Sequence, residues 1–186
     1  MNLTFSDRLL KSTLLFLIPQ RVRPNHLTVF RMLATPFVFL LIWRENYIWG
    51  IPVFLLVALT DALDGALARV RNQITDWGRL FDPLADKLLI GSLVVAIVWT
   101  KLDPWLAGVI LFLEMIFITT GWRRHKKGLI IEANRWGKIK MILQVAGILI
   151  LLIGLLLPWP YFFHISRLTF ILAILFAIIS LLTYGI

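Results

Sequence analysis

Residues 139–157 read IKMILQVAGILILLIGLLL, an apolar run in which Lys140 and Gln144 are the polar exceptions. The run is long enough to cross the hydrocarbon core of a bilayer as a helix, which takes about 20 residues. Hydrophobic residues make up 60% of the 186-residue chain and charged residues 16%, whereas about a quarter of the residues in a soluble domain are charged. This composition excludes an ordinary soluble domain and a disordered chain. The absence of cysteine excludes disulfides and thiolate chemistry.

Five more apolar runs of similar length occur in the chain, separated by short linkers that carry proline, glycine, asparagine or charge. The six predicted spans run roughly over Leu27–Trp43, Tyr47–Ala68, Leu80–Thr100, Trp105–Trp122, Ile139–Leu157 and Phe162–Tyr184. They predict an all-α integral membrane protein in which residues 25–186 form a bundle of six transmembrane helices. Residues 1–186 then make up a single membrane domain.

The first 24 residues predict an N-terminal interfacial amphipathic helix followed by a linker. Leu3, Leu10 and Leu14 lie on one helical face. The charged Asp7 and Lys11 lie mostly on the opposite face. A helix of this kind lies in the plane of the membrane interface. A frayed beginning of the first span is the alternative.

The basic residues are distributed unevenly between the two sides of the membrane. The net charge is +9, which indicates anionic partners at a membrane surface rather than nucleic acid. Of the 19 Lys and Arg residues, all but Arg44, Lys101 and Arg167 lie around the start of the first span or around the second and fourth linkers. The positive-inside rule therefore predicts that these linkers and both termini face the cytoplasm, with the chain in the cell inner membrane.

Four aspartates lie on either side of the linker between the second and third spans. Asp61 and Asp64 are three residues apart and share one helix face. Asp82 and Asp86 are four residues apart and do the same. An antiparallel hairpin that turns at Asn72–Thr75 would bring the two faces together. The spacing therefore predicts that four carboxylates converge in one small volume near the cytoplasmic surface.

Four carboxylates in a low dielectric repel one another, and a divalent cation relieves this repulsion. A site made of carboxylate oxygens without thiolate favours Mg²⁺ or Mn²⁺. Small neighbouring residues let a ligand approach the backbone closely, and Arg69 can bind a phosphate in two places. The small residues are Gly65, Ala66, Ala68 and Gly78. Together they predict a site for a metal-bound pyrophosphate. Ion pairs that hold the bundle together, and an ion pathway, are the alternatives.

The same residues carry a resemblance to a known family, the CDP-alcohol phosphotransferases. The segment that resembles the family signature is Asp61-x2-Asp64-Gly65-x2-Ala68-Arg69-x8-Gly78-x3-Asp82-x3-Asp86. The segment Pro24-Asn25-x-Leu27-Thr28-x2-Arg31 is similar to the family's beginning of the first span, and Gly137-Lys138-Ile139-Lys140 to its beginning of the fifth. The resemblance also extends to six spans preceded by an interfacial helix.

The resemblance implies an enzyme that transfers a phosphatidyl group from CDP-diacylglycerol to an alcohol and releases CMP. It implies that Mg²⁺ or Mn²⁺ is held by Asp61, Asp64, Asp82 and Asp86. Asp86 is then also the catalytic base that takes the proton of the acceptor hydroxyl. The residues implied to hold the CDP moiety are Asp64, Gly65, Ala68, Arg69, Gly78, Asn25 and Thr28.

The acceptor alcohol is predicted from residues 77–89, WGRLFDPLADKLL. This segment most resembles the branch that makes phosphatidylglycerol phosphate from glycerol 3-phosphate. The cardiolipin-forming branch has a similar sequence in this segment, and the inositol-phosphate branch is less similar. A phosphorylated polyol would need basic ligands. The candidates for its phosphate are Lys138, Lys140, Arg123 and Arg124. Ordinary positive-inside loops are the alternative explanation of these cations.

The sequence departs from the glycerol-phosphate branch in the fourth span. That branch usually places Arg before Glu, whereas this chain has Leu113 followed by Glu114. Glu114 lies in an apolar run, where a carboxylate needs a partner. Lys138, Lys140 or the acidic site acting through its metal are the candidates.

Two further expectations concern function and assembly. A six-span cation-coupled carrier would also bury carboxylates, but it would distribute polar residues along several spans. This chain has few polar residues outside the second, third and fourth spans, which favours the enzyme. The family resemblance also suggests a homodimer. Gly147 and Gly154 in the fifth span are candidates for close helix packing.

Overall fold

The computed structural model describes residue 19 and residues 21–126, 135–157 and 159–184, and every regular element in this part of the chain is a helix. The helices are α1 Pro24–Trp43, α2 Tyr47–Val70, α3 Asp76–Leu93, α4 Pro104–Lys126, α5 Arg135–Leu156 and α6 Pro160–Tyr184. A π-helical segment, Val94–Leu102, continues α3. The predicted all-helical fold is therefore confirmed. The predicted interfacial helix falls almost wholly outside the described residues.

Five of the described helices are long and apolar enough to cross a membrane, namely α1, α2, α4, α5 and α6. The remaining helix, α3, carries Asp82 and Asp86, the second aspartate pair of the predicted acidic site. Its charged residues are Asp76, Arg79, Asp82, Asp86 and Lys87. The apolar half of the predicted third span lies instead in the end of α3 and in the π-helical segment. These features confirm a membrane protein with several apolar helices.

The helix boundaries follow local sequence signals. Pro24, Pro104 and Pro160 each occupy the first helical position, where the missing N–H of proline costs no hydrogen bond. Asp103 caps α4, because its Oδ1 accepts hydrogen bonds from the backbone N–H groups of Trp105 at 2.9 Å and Leu106 at 3.2 Å.

The predicted hairpin turn is present between α2 and α3. Asn72 adopts a left-handed conformation with φ of 52°, which asparagine tolerates better than most residues. The backbone N–H of Gln73 donates to the carbonyl of Ala68 at 2.9 Å. The left-handed Asn72 and this hydrogen bond end α2 and let the chain reverse. The turn therefore lies at the predicted Asn72–Thr75.

The described residues form two compact units. The first contains the residues up to Val38 together with Pro52–Leu89, and the second contains Phe39–Ile51 and the residues from Ile90 onward. In the first unit, Ala66 and Leu67 are fully buried. They pack with Leu27, Leu63 and Val70, which joins the beginning of α1 to the end of α2.

In the second unit, α5 and α6 approach closely at two glycines. A Cβ atom on Gly147 would lie 3.1 Å from the ring of Phe170, and one on Gly154 would lie 2.7 Å from the Cβ of Phe162. The Ser166 hydroxyl donates to the Gly147 carbonyl at 2.9 Å. Small residues permit such contacts between membrane helices. The prediction that these glycines serve a dimer contact is therefore corrected, since their faces are covered by α6 of the same chain.

Candidate active site

Arg31 of α1 binds the first aspartate pair. Its side chain is 0% exposed, and its Nη1 donates to Asp61 Oδ1 at 2.5 Å. Its Nη2 donates to Asp64 Oδ2, and the Asp64 side chain is only 2% exposed. The planar guanidinium matches this use, because two of its donors can engage two carboxylates at once. Arg31 therefore neutralises part of the negative charge that the sequence places here.

A second contact from α1 reaches the other aspartate pair. Thr28 lies one turn before Arg31 on the same helix face and is fully buried. Its hydroxyl donates to Asp82 Oδ1 on α3 at 2.5 Å. Asp86 lies one further turn along α3 and is half-buried. The acidic site of the first unit is thus built by three helices, with α1 contacting both aspartate pairs.

The predicted metal ligands differ in arrangement from the expected cluster. In the part of the chain that the structure describes, no group of three or more His, Asp or Glu side chains is arranged to hold one metal ion. Instead, Arg31 binds one carboxylate oxygen each of Asp61 and Asp64, and Thr28 binds one of Asp82. The donor set itself, carboxylate oxygens only, fits a hard divalent cation.

A pocket of about 150 Å³ opens beside these carboxylates within the first unit. Its lining consists of Pro24, Asn25, Gly65, Ala68, Arg69, Gln73, Ile74, Thr75, Gly78 and Asp82. Five of the residues predicted to hold the CDP moiety lie in this list. The other two, Asp64 and Thr28, contact the same acidic site through Arg31 and Asp82. The predicted nucleotide residues are thus brought together, although their role stays a prediction.

Gly78 occupies the most crowded point of the pocket wall. A Cβ atom there would lie 3.2 Å from Thr75 Oγ1, 3.3 Å from Asp82 Oδ2 and 3.4 Å from Asn25 Oδ1. Three oxygen atoms therefore face the space above this glycine backbone. Gly65 is similar, since a Cβ atom there would lie 3.3 Å from Nη1 of Arg69. Both glycines are required by close approach rather than by backbone conformation.

Thr75 and Gln73 are pocket residues that the sequence interpretation did not include. The Thr75 hydroxyl accepts a hydrogen bond from the Gly78 N–H at 2.9 Å, which caps α3, and donates to Asn25 Oδ1 at 2.9 Å. The buried Oε1 of Gln73 has no hydrogen-bond partner among the described residues. Thr75 could have been found as an N-cap candidate before α3, whereas nothing in the spacing singled out Gln73.

Two of the predicted acceptor ligands belong to α5 in the second unit. Lys140 is buried, and its Nζ donates to Glu114 Oε1 of α4 at 2.5 Å. Gln144 Nε2 donates to the same oxygen at 2.8 Å, while Glu114 Oε2 is buried without a partner among the described residues. Lys140 is thus the partner of Glu114 that the sequence required. Lys138 is exposed instead.

The remaining predicted acceptor ligands lie at the end of α4. Arg123 is exposed and Arg124 is half-buried. The Lys140 ammonium also lies 4.6 Å from the centre of the Phe117 ring, a distance typical of a cation–π contact. The four predicted acceptor residues are therefore of two kinds, one paired inside the second unit and three at or near its surface.

Apolar helices that carry a polar pocket and a buried arginine–aspartate cluster are the features of an integral membrane enzyme. A family model described as CDP-alcohol phosphatidyltransferase matches residues 21–183. The chain belongs to this family and is a transferase of phospholipid biosynthesis.

Its relatives include two enzymes named CDP-diacylglycerol–glycerol-3-phosphate 3-phosphatidyltransferase. The protein of Bacillus subtilis is 32% identical over 176 residues, which cover 84% of this chain and 90% of the relative. The protein of Rickettsia typhi is 32% identical over 136 residues, covering 70% and 76%. A protein of Streptomyces coelicolor named cardiolipin synthase (CMP-forming) is 40% identical over 111 residues, covering 55% and 52%.

Proposed function

We propose that this chain transfers the phosphatidyl group of CDP-diacylglycerol to glycerol 3-phosphate, forming phosphatidylglycerol phosphate and CMP. The observation that carries the proposal is the pocket in which Gly65, Ala68, Arg69 and Gly78 lie together beside Asp82. Glycerol 3-phosphate is the acceptor named in the relatives of Bacillus subtilis and Rickettsia typhi. Both relatives are covered over more than two thirds of their length.

In the proposed reaction, the acceptor hydroxyl attacks the phosphorus atom that bears the diacylglycerol. Asp86 accepts the hydroxyl proton, the new oxygen–phosphorus bond forms, and the bond from that phosphorus to the bridging oxygen breaks. CMP leaves with the bridging oxygen. Arg69 binds the phosphates, and Gly65 and Gly78 permit their close approach. Most of the rate enhancement in such transfers comes from positioning and charge stabilisation.

Asp61, Asp64, Asp82 and Asp86 are the proposed ligands of Mg²⁺ or Mn²⁺. The bound cation would neutralise charge on the pyrophosphate and on the leaving group. One or two ions are both compatible with four carboxylates. The support for a cation is the donor chemistry of these side chains.

For the acceptor, we propose that Lys138, Arg123 and Arg124 bind the phosphate of glycerol 3-phosphate. Lys140 contributes indirectly in this proposal, because its bond to Glu114 keeps α4 and α5 together.

The second candidate function is a cardiolipin-type transfer to phosphatidylglycerol, favoured by the 40% identity to the Streptomyces coelicolor protein. Leu113, where the glycerol-phosphate branch usually has Arg, weakens the case for glycerol 3-phosphate as the acceptor.

The proposed membrane arrangement has six spans, with α3 and the π-helical segment forming the third and an interfacial helix preceding them. The pocket and both termini lie on the cytoplasmic side of the inner membrane. Self-association as a homodimer is also part of the proposal. Gln73→Cys tests the orientation, because the chain has no other cysteine. In sealed cells this cysteine should react only with membrane-permeant reagents. Labelling by an impermeant reagent would show that the topology is the reverse of the proposed one.

The decisive test of the function is release of CMP by purified protein. The protein is incubated with CDP-diacylglycerol, Mg²⁺ and, in turn, glycerol 3-phosphate, phosphatidylglycerol, inositol phosphate, glycerol and serine, and the lipid product is identified by mass spectrometry. Glycerol 3-phosphate should give the highest rate and phosphatidylglycerol phosphate the product. Faster turnover with phosphatidylglycerol would establish the cardiolipin-type alternative. A lack of CMP release with every acceptor would contradict the proposed reaction.

A further inference from the structure

Arg31 binds two of the four carboxylates that the proposed function assigns to a divalent cation. Its guanidinium donates to Asp61 and Asp64, and the side chain is completely buried. Its third nitrogen, Nε, is buried without a hydrogen-bond partner among the described residues. A fully buried cation with one unsatisfied donor, bound to carboxylates that also suit a metal, indicates that two cations share one set of ligands.

We propose that Arg31 is an internal counter-ion that competes with the divalent cation for Asp61 and Asp64. Arg31 binds one oxygen of each carboxylate, Asp61 Oδ1 and Asp64 Oδ2, so a divalent cation would either bind the remaining oxygens beside the guanidinium charge or draw a carboxylate away from it. The inference rests on the proposed metal site and concerns a residue to which the sequence interpretation gave no ligand, although Arg31 belongs to the segment that resembles the family's beginning of the first span.

The positive charge of Arg31 determines whether it raises or lowers the affinity of the site for the metal. The guanidinium cannot lose its proton in a protein, so its positive charge stays in the site under all ordinary conditions. A divalent cation that approaches the same carboxylates is repelled by this charge and competes with it for the negative charge of Asp61 and Asp64. Arg31 therefore lowers the affinity of the site for the metal.

The same charge stabilises the protein in the absence of metal. Removing one partner of a buried ion pair leaves an uncompensated charge, which is strongly destabilising. Asp64, with a side chain only 2% exposed, would be such a charge without Arg31. Replacement of Arg31 should thus weaken the metal-free protein and strengthen its binding of the metal, a combination that a purely structural role does not produce.

The experiment measures Mn²⁺ binding by electron paramagnetic resonance of the free ion, together with thermal unfolding with and without Mn²⁺. The variants are Arg31→Gln and Arg31→Lys. The matched control is Thr35→Val, one turn along the same helix, because Thr35 is buried and uncharged and its hydroxyl donates to the Arg31 carbonyl at 2.8 Å. Asp86→Asn serves as a variant with one ligand fewer.

For Arg31→Gln we expect a lower unfolding temperature without metal. The dissociation constant for Mn²⁺ should fall at least about tenfold, equivalent to ~1.4 kcal/mol. The stabilisation by saturating Mn²⁺ should grow accordingly. Arg31→Lys should lie between this variant and the parent, since its single ammonium cannot hold both carboxylates equally well. Thr35→Val should bind Mn²⁺ like the parent protein.

Two negative results have different meanings. If the parent protein binds Mn²⁺ and Asp86→Asn weakens that binding, but both Arg31 variants bind it no more tightly, the competition is refuted and the metal site survives. If the parent protein itself binds no Mn²⁺, the proposed metal site fails and the inference fails with it. Should Arg31→Gln not fold, Arg31→Lys decides the question, because it keeps a positive charge beside the carboxylates but holds the two of them less firmly.

Discussion

Gly78→Ala is the substitution for which the structure gives the sharpest expectation. The added methyl group would lie 3.2, 3.3 and 3.4 Å from oxygen atoms of Thr75, Asp82 and Asn25. The contacts with Thr75 and Asp82 require these two side chains to move by a few tenths of an ångström, whereas the distance to Asn25 is that of an ordinary van der Waals contact. The methyl group would also occupy part of a pocket of only about 150 Å³. We therefore expect the KM for CDP-diacylglycerol to rise at least about tenfold, or ~1.4 kcal/mol.

The stability of Gly78→Ala should increase or change very little, although its binding of CDP-diacylglycerol is weakened. Alanine is favoured over glycine inside a helix by up to about 1 kcal/mol, and Gly78 lies in the first turn of α3. The assay is CMP release at varied CDP-diacylglycerol concentrations, accompanied by thermal unfolding. Gly121→Ala in α4 is the matched control, because no atom lies within 4 Å of the added Cβ there. An unchanged KM in Gly78→Ala would refute the assignment of this pocket to the CDP moiety.

Three other substitutions test the remaining parts of the site. Asp82→Ala should reduce the rate of CMP release at least about 100-fold, or ~2.7 kcal/mol, and near-normal turnover would remove Asp82 from the proposed mechanism. Lys138→Ala should raise the KM for glycerol 3-phosphate far more than that for CDP-diacylglycerol, and equal changes would contradict a role in acceptor binding. Lys140→Met should destabilise the protein by about 3–5 kcal/mol, because Glu114 is left buried without a positive charge beside it. The double variant Lys140→Met/Glu114→Leu should recover most of this loss in denaturant unfolding.

The sequence predicted those parts of the fold that depend on patterns local to the chain. Apolar runs predicted the helices, and the polar turn between two aspartate pairs predicted the hairpin. Boundaries shifted where a cap or a proline decided them. Helix α3 begins at Asp76 rather than at Leu80, because Thr75 caps it through the Gly78 N–H. The charged residues at the beginning of α3 were left out of the predicted apolar span, but they are helical.

Contacts between helices distant in sequence were less predictable. Arg31 was identified as part of a family-like segment and as one of many basic residues, but not as a partner of the aspartates, since nothing in its own helix indicates which carboxylates it contacts. A buried charge in an apolar span was the available signal, because such a residue needs a partner. Glu114 gave the same signal, and there the sequence offered Lys140 as one of its candidates. The second donor, Gln144, one turn after Lys140, was not identified because an amide carries no charge to be compensated.

The two buried ion pairs show why the choice between arginine and lysine matters in this chain. In the first unit, the planar guanidinium of Arg31 donates from two different nitrogens to two carboxylates. In the second unit, the Lys140 ammonium binds one carboxylate oxygen, and Gln144 supplies another donor to that same atom. A lysine in place of Arg31 would bring one point charge where two separated acceptors must be held. The arginine therefore fits a site whose two carboxylates are needed together, whereas the lysine fits a site with a single carboxylate.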